Sequence, residues 1–331
     1  MTEIYLLMFL YPIIIIFSII ISRKLELVDI PNKRKIHSGI IVNTLGITLY
    51  TYFALVIYLT ELSFELENII AIGGFITLIG FIDDRVNLSP SVKLLYKSFP
   101  ILYLVLNGYD LKDLGSYEFI GTINLGKFSI LFTFLACLLL INSFNYIDGT
   151  DGITLSISAT SLLYFIFLNK LELNNDNILF LILLYAIIVC IIFNFLSVQS
   201  RLKAFLGDAG SLFLGFFIAL SIIYLFKKKD IHPSLLIWVC WYPIYDFIYV
   251  TLKRIYKKKL FTKPDKSHLH HIILNQSRNK HFLVFLKINF MNISIISIGY
   301  LTSTYFGNIY SLLLFIIMFF VFFYCRIKIN F

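Results

Sequence analysis

"FSILFTFLACLLLINSFNYIDGTDGI", residues 128–153, decides how this chain folds. Its first part, "FSILFTFLACLLLI", carries no charge, whereas "NSFNYIDGTDGI" (142–153) holds two asparagines, two aspartates and two glycines. An apolar run of this kind reads as a membrane-crossing helix. The polar end must then lie where water reaches it, since one ionised aspartate at the bilayer centre costs roughly 2.5 to 3.5 kcal/mol on insertion scales.

The rest of the chain has the same character. Of 331 residues 59% are hydrophobic and 14% charged, and the mean hydropathy is +0.86, values that exclude a soluble globule and predict an integral membrane protein. Apolar runs of roughly 17 to 23 residues predict an all-α, polytopic helix bundle of about eleven spans. They centre near Ile14, Leu49, Ile76, Leu102, Leu135, Leu162, Ile187, Phe217, Val239, Ile295 and Ile316. The first run lacks a basic leader and a small-residue cleavage site, so it reads as a retained span. The Gly-punctuated alternation "NGYDLKDLGSYEFIGTINLGK" predicts a small external β-hairpin at about 108–127. No internal repeat shows, so residues 1–331 read as one membrane domain.

Four cysteines stand singly in apolar segments without CxxC spacing, which predicts packed thiols and neither disulfides nor metal sites. The net charge of +9 sits beside the spans and follows the positive-inside rule, so no nucleic acid is expected as partner. The first loop is basic and the next, "ELSFELEN", is acidic. Alternating from there puts every polar motif, and a basic loop at about 253–282, on the cytoplasmic face. The loop "KKKDIH" (227–232) falls outside and breaks the rule.

Four clusters carry the chemistry. Asp83 and Asp84 end the third span in "GFIDDRVNLSP". Adjacent carboxylates repel and want a cation or a proton, although an interfacial cap with Asp84 paired to Arg85 would also account for them. Lys93 follows, suited to a phosphate or to snorkelling towards headgroups. In "NSFNYIDGTDGI", Asn142 and Asn145 lie one helical turn apart, and the glycines around Asp148 and Asp151 permit close approach of a ligand or make an ordinary turn. Asp208 in "FLGDAGSLFLG" stands where it would cap a helix or, with the Asn145 amide oxygen, bind Mg²⁺. His268, His270 and His271 in "FTKPDKSHLHHIIL" suit a polyphosphate better than zinc, for want of a second ligand cluster.

In this order the segments resemble the polyprenyl-phosphate N-acetylhexosamine-1-phosphate transferases, multi-pass enzymes of the bacterial inner membrane that start O-antigen, teichoic acid and peptidoglycan lipid intermediates. The likeness runs from "DIPNKRKIH" through "GFIDDRVNLSPSVKL" and "FLGDAGSLFLG" to "PIYDFIYVTLKR" and "FTKPDKSHLHH". It implies transfer of a sugar 1-phosphate from a UDP-N-acetylated sugar, by default UDP-N-acetylglucosamine, to undecaprenyl phosphate, with UMP released at the cytoplasmic face. Membrane lipids surround such an enzyme, and a homodimer is compatible with it. The resemblance further implies Mg²⁺, with Mn²⁺ as substitute, held by Asp208 and Asn145. Asp83, Asp84, Lys93, His268, His270 and His271 would be catalytic, Asp83 as the base or acceptor-orienting group. Asn142, Asp148 and Asp151 would bind substrate, the two aspartates on the nucleotide side. Arg34 and His37 match the family's NxRxxH segment and join the substrate-binding set.

The sequence also departs from the family. "IIVNTLGI" (40–47) stands where a Pro-rich, double-glycine stretch is usual, and "HLHH" favours the O-antigen and teichoic acid branch. Two rival classes fit less well. An aromatic-acceptor prenyltransferase would show N-x3-D-x3-D on unbroken helices, and a transporter would place its charges near the midplane, often between repeats.

Overall fold

The structure, a computed structural model, describes residues 2–29, 39–59, 64–171, 175–258 and 267–329. The helices are α1 (Thr2–Lys24), α2 (Leu45–Leu59), α3 (Phe64–Val86), α4 (Pro90–Leu104), α5 (Ser129–Ile147), α6 (Ile153–Leu168) and α7 (Asn175–Phe195). They continue with α8 (Gly207–Lys229), α9 (Pro233–Leu236), α10 (Trp241–Tyr256), α11 (Leu269–Gln276), α12 (His281–Phe306) and α13 (Asn308–Ile329). Short strands β1 (Val28–Asp29), β2 (Ile41–Asn43) and β5 (Ala204–Phe205) form one small sheet, β3 (Asp113–Tyr117) and β4 (Gly121–Asn124) another. Helices dominate because lipid offers no hydrogen-bond partner, so each apolar segment must satisfy its own backbone. Even the β-branched run Ile13–Ile16 is helical within α1.

Every predicted span centre falls in a helical stretch. Seven stretches among the described residues are long and apolar enough to cross a membrane: Tyr5–Lys24, Gly126–Ile147, Asp176–Phe195, Gly207–Lys229, Pro233–Tyr256, His281–Phe306 and Asn308–Ile329. The other four expected spans fall on helices that do not meet that length and composition. Helices α2, α4 and α6 have 15, 15 and 16 residues, and α3 carries charged residues at both ends. Within the expected basic loop at 253–282, α10 runs to Tyr256, and α11 and the start of α12 are helical. All four cysteines are free thiols, but Cys325 is exposed on α13 where a packed side chain was expected.

The described chain forms two compact units. The first comprises residues Met1–Pro100 and Asp151–Phe217, the second Ile101–Thr150 and Ile218–Phe331. In the first unit, α8 begins pressed against α3: a Cβ on Gly80 would lie 2.5 Å from backbone atoms of Asp208 and Ala209. That approach brings the end of α3 to the start of α8. Here β2 pairs parallel with β5, Val42 opposite Ala204, and antiparallel with β1.

The second unit has an aromatic core in which Trp238, Trp241 and Tyr245 each find a hydrogen-bond partner, as burial requires. Trp238 Nε1 donates to Ser311 Oγ at 2.9 Å, Trp241 Nε1 to Asn292 Oδ1 at 2.7 Å and the Tyr245 hydroxyl to the Phe315 carbonyl at 2.5 Å. At one end β3 and β4 pair antiparallel, with Tyr117 opposite Gly121. There Lys227 Nζ donates to the carbonyls of Gly108 at 2.6 Å and Asp110 at 2.9 Å. At least one lysine of the discordant "KKKDIH" loop thus has a fixed task beside the hairpin.

Candidate functional site

In the first unit the distant acidic segments meet. Asp83 and Asp84 lie in the last turn of α3, and adjacent helical residues point about 100° apart, so the two carboxylates have different surroundings. Asp84 Oδ1 accepts from the Asp208 N–H at 3.0 Å and from Asn43 Nδ2 at 3.3 Å, while its Oδ2 accepts from the Ala209 N–H at 3.3 Å. Asp84 therefore caps α8 from another helix, an arrangement the positive end of the helix favours. Gly207, with φ at +71°, makes room: a Cβ there would lie 2.5 Å from Asp84 Oδ2.

Asp83 faces the other way. Its Oδ1 accepts from the Leu88 N–H at 2.8 Å, and its Oδ2 pairs with the Lys93 ammonium. Lys93 also reaches Asp208 Oδ2 at 3.4 Å, so one ammonium bridges two carboxylates contributed by α3 and α8. Lys97, one turn further along α4, is buried within electrostatic reach of the same two carboxylates. The sequence reading did not single out Lys97, although its i+4 spacing from Lys93 was visible.

Asp151 belongs to this unit as well. Its Oδ2 accepts from Lys203 Nζ at 2.7 Å, and that lysine, 3% exposed, also donates to the Asn194 carbonyl at 2.7 Å. Lys203 was likewise missed, because nothing in "SVQSRLKAFLGDAGS" separates a buried lysine from a surface one. Arg34 and His37 lie outside the described residues.

The second unit holds the histidines and the end of α5. Asn142 and Asn145 are half-buried one turn apart on α5, and Asp148 forms its C-cap. Residues 148–152 form a turn into α6, whose cap Gly152 is left-handed with φ at +75°. Gly149 packs directly against the histidines: a Cβ there would lie 2.5 Å from His270 Nε2 and 3.0 Å from His271 Nε2. Only a residue without a side chain fits. His268 and His270 stack with centroids 5.5 Å apart, and His270 and His271 are 4.2 Å apart.

His270 is fully buried, its Nδ1 3.2 Å from the Tyr242 hydroxyl, while its Nε2 has no hydrogen-bond partner among the described residues. Burial first, then the neighbouring His271, His268 and Arg326, push its pKa well below the usual histidine range, so the imidazole is neutral. His268 Nδ1 lies 2.8 Å from Asp246 Oδ2. Tyr146, within the "NSFNYIDGTDGI" segment, packs on this group, its ring 5.7 Å from that of His268 and 5.6 Å from the Arg254 guanidinium.

Among the described residues no group of three or more His, Cys, Asp or Glu side chains is arranged to hold a metal ion. A Mg²⁺ ion does not need one, since it commonly takes one or two carboxylates and completes its shell with water and phosphate oxygens. Asp83 and Asp208, two carboxylates already sharing one cation, are a donor set of that kind.

Comparison with known proteins adds an independent finding. The family described as Glycosyl transferase family 4 matches residues 66–226, from before Asp83 to beyond Asp208. The chain is 29% identical over 328 residues to the undecaprenyl-phosphate alpha-N-acetylglucosaminyl 1-phosphate transferase of Escherichia coli (strain K12), covering 92% of this chain and 85% of the relative. It is 30% identical over 260 residues to the probable undecaprenyl-phosphate N-acetylglucosaminyl 1-phosphate transferase of Bacillus subtilis (strain 168), covering 77% and 71%. A Salmonella typhi protein with the first of these names is 26% identical over 330 residues, covering 96% and 88%.

Proposed function

The chain belongs to glycosyl transferase family 4, and we propose that it transfers N-acetylglucosamine 1-phosphate from UDP-N-acetylglucosamine to undecaprenyl phosphate in a bacterial inner membrane. An oxygen of the acceptor phosphate bonds to the phosphorus that carries the sugar, the bond from that phosphorus to the UMP oxygen breaks, and UMP leaves. The observation that carries this reading is the bridging of Asp83 and Asp208 by Lys93. The names of the relatives support the substrates.

Bringing two phosphates together is opposed by their charge, and each residue has work to do against that repulsion. Lys93, poised between two carboxylates, can turn its ammonium to the acceptor phosphate. Asp83 orients the attacking oxygen. Asp84 acts through structure, holding the first turn of α8 so that Asp208 is presented correctly. His270 and His271, closed on Gly149, bring imidazole nitrogens to the sugar-nucleotide, and Asn142, Asp148 and Asp151 serve its uridine side. Mg²⁺, when bound by Asp83 and Asp208, would supply Lewis-acid charge neutralisation on the phosphates; Mn²⁺ would substitute. The same proposal includes eleven crossings, with the polar motifs facing the cytoplasm and the hairpin outside.

The test incubates membranes containing the protein with Mg²⁺, undecaprenyl phosphate and a panel of labelled UDP-sugars. Label from UDP-N-acetylglucosamine is expected in the organic phase with one UMP released per sugar, and Asp208→Asn is expected to lose it. Organic-phase label from no UDP-sugar would remove the reading.

A further inference from the structure

We infer that Asp246 is a positioning residue that fixes the imidazole of His268, and that Arg326 from the last helix holds Asp246 in place; this rests on the reading that the histidines contact substrate. Asp246 lies in α10 and is wholly buried. A carboxylate beside a site for anionic phosphates is repulsive unless it is neutralised and has a separate task. Both conditions are met. Its Oδ2 accepts from His268 Nδ1 at 2.8 Å, and its Oδ1 accepts from the Leu269 N–H at 2.9 Å, capping α11. Arg326 Nη2, near the end of α13, lies 3.2 Å from the same Oδ1 and donates to the Ser267 carbonyl at 2.5 Å. One carboxylate and one guanidinium thus clamp residues 267–269 from α10 and α13. The guanidinium is 1% exposed and lies 4.7 Å from the Tyr249 ring centroid.

The hydrogen-bond network assigns the tautomer. With Nδ1–H donated to Asp246, Nε2 of His268 carries the lone pair, and Arg254 Nη2 lies 3.5 Å from it. The clamp therefore presents His268 Nε2 and Arg254 together beside Tyr146. In Asp246→Asn the amide can place its oxygen towards Leu269 and Arg326 only by turning its NH₂ to His268 Nδ1, which forces the Nε2–H tautomer.

The experiment uses the full-length protein in two readouts. Turnover is measured for wild type, Asp246→Asn, His268→Ala and the double variant, with thermal unfolding alongside. Asp246→Asn is expected to lower kcat by at least about a hundredfold, as loss of the correct imidazole tautomer does elsewhere, while KM for the UDP-sugar changes less than about threefold. In the His268→Ala background it should add less than about threefold, because the two side chains act as one unit. Arg326→Lys should retain more activity than Arg326→Met. An equal loss from Asp246→Asn with and without His268, or a loss that tracks unfolding, overturns the inference. Histidine ¹⁵N spectra read the tautomer without turnover: His268 should be Nδ1–H in wild type and Nε2–H in Asp246→Asn, and an unchanged signal overturns the inference. A wild type that transfers no sugar phosphate but shows the tautomer change defeats the functional reading alone.

Discussion

At the residue scale, two neighbouring aspartates do different jobs because a helix turns them apart. Asp84 satisfies two backbone N–H groups at the start of α8, whereas Asp83 pairs with Lys93. Asp84→Ala is expected to lower stability by about 0.5 to 2 kcal/mol, the usual worth of a lost helix cap, and to impair transfer through a displaced Asp208. Asp83→Asn, which keeps an oxygen for the Leu88 N–H, should abolish transfer with a smaller loss of thermal stability in detergent than Asp84→Ala. Equal melting losses for the two variants would contradict this division. Gly207→Ala combines a left-handed backbone with a clash against Asp84; we expect about 1 to 2 kcal/mol of backbone cost and a transfer rate reduced by tenfold or more.

At the element scale, the hairpin end of the second unit is tied together by caps that depend on protonation state. Glu118 accepts from the N–H groups of Asn308 at 3.1 Å and Ile309 at 3.0 Å, capping α13. Its own N–H and those two donors hold its carboxyl below the usual glutamate range. His232 Nδ1 accepts from the Ser234 N–H at 3.2 Å, and its Nε2–H donates to the Ser116 carbonyl at 3.0 Å, which requires the neutral ring. Burial holds its pKa below the ordinary histidine value, against opposing contributions from Ser116 and Glu118. For both groups the folded pKa is depressed, so their stabilisation is present above the unfolded value and is lost as pH falls through the folded one. Melting temperature should therefore fall as pH drops below about 6.5 for His232, and again below about 4.3 for Glu118. His232→Asn should flatten the first step; a wild-type curve level from pH 7 to 4 would refute the assignment.

At the scale of the whole molecule, α5 links the hairpin to the polar motif. Its 19 residues span about 28 Å, close to the roughly 30 Å of a bilayer's hydrocarbon core. The orientation we propose, with the hairpin and Asp148 in opposite aqueous phases, fits that length. A cysteine at position 120 should react with a membrane-impermeant maleimide added to intact cells, and one at 148 only in inverted vesicles, with Cys325→Ser as background. Reaction of both from one side would overturn the orientation. The same geometry accounts for the loop that defied the charge rule: Lys227 is held by the Gly108 and Asp110 carbonyls, so local hydrogen bonding fixes it whatever the loop's charge.

Hydropathy and order of motifs were legible in the chain itself, because membrane insertion acts on composition: each expected span centre is helical, and the aspartates, asparagines and histidines named from "DD", "NSFNYIDGTDGI", "GD" and "HLHH" fall at helix ends or turns. Length was less legible, since the runs alone do not show that α2, α4 and α6 have only 15, 15 and 16 residues. The roles of particular side chains were settled only by packing. Asp84 meets residues more than 120 positions away, and Asp246 is joined to Arg326 from 80 positions away. Lys203, Asp246 and Arg326 look like ordinary interfacial or core positions in the sequence, because burial and pairing are properties of neighbours that only the folded chain brings together.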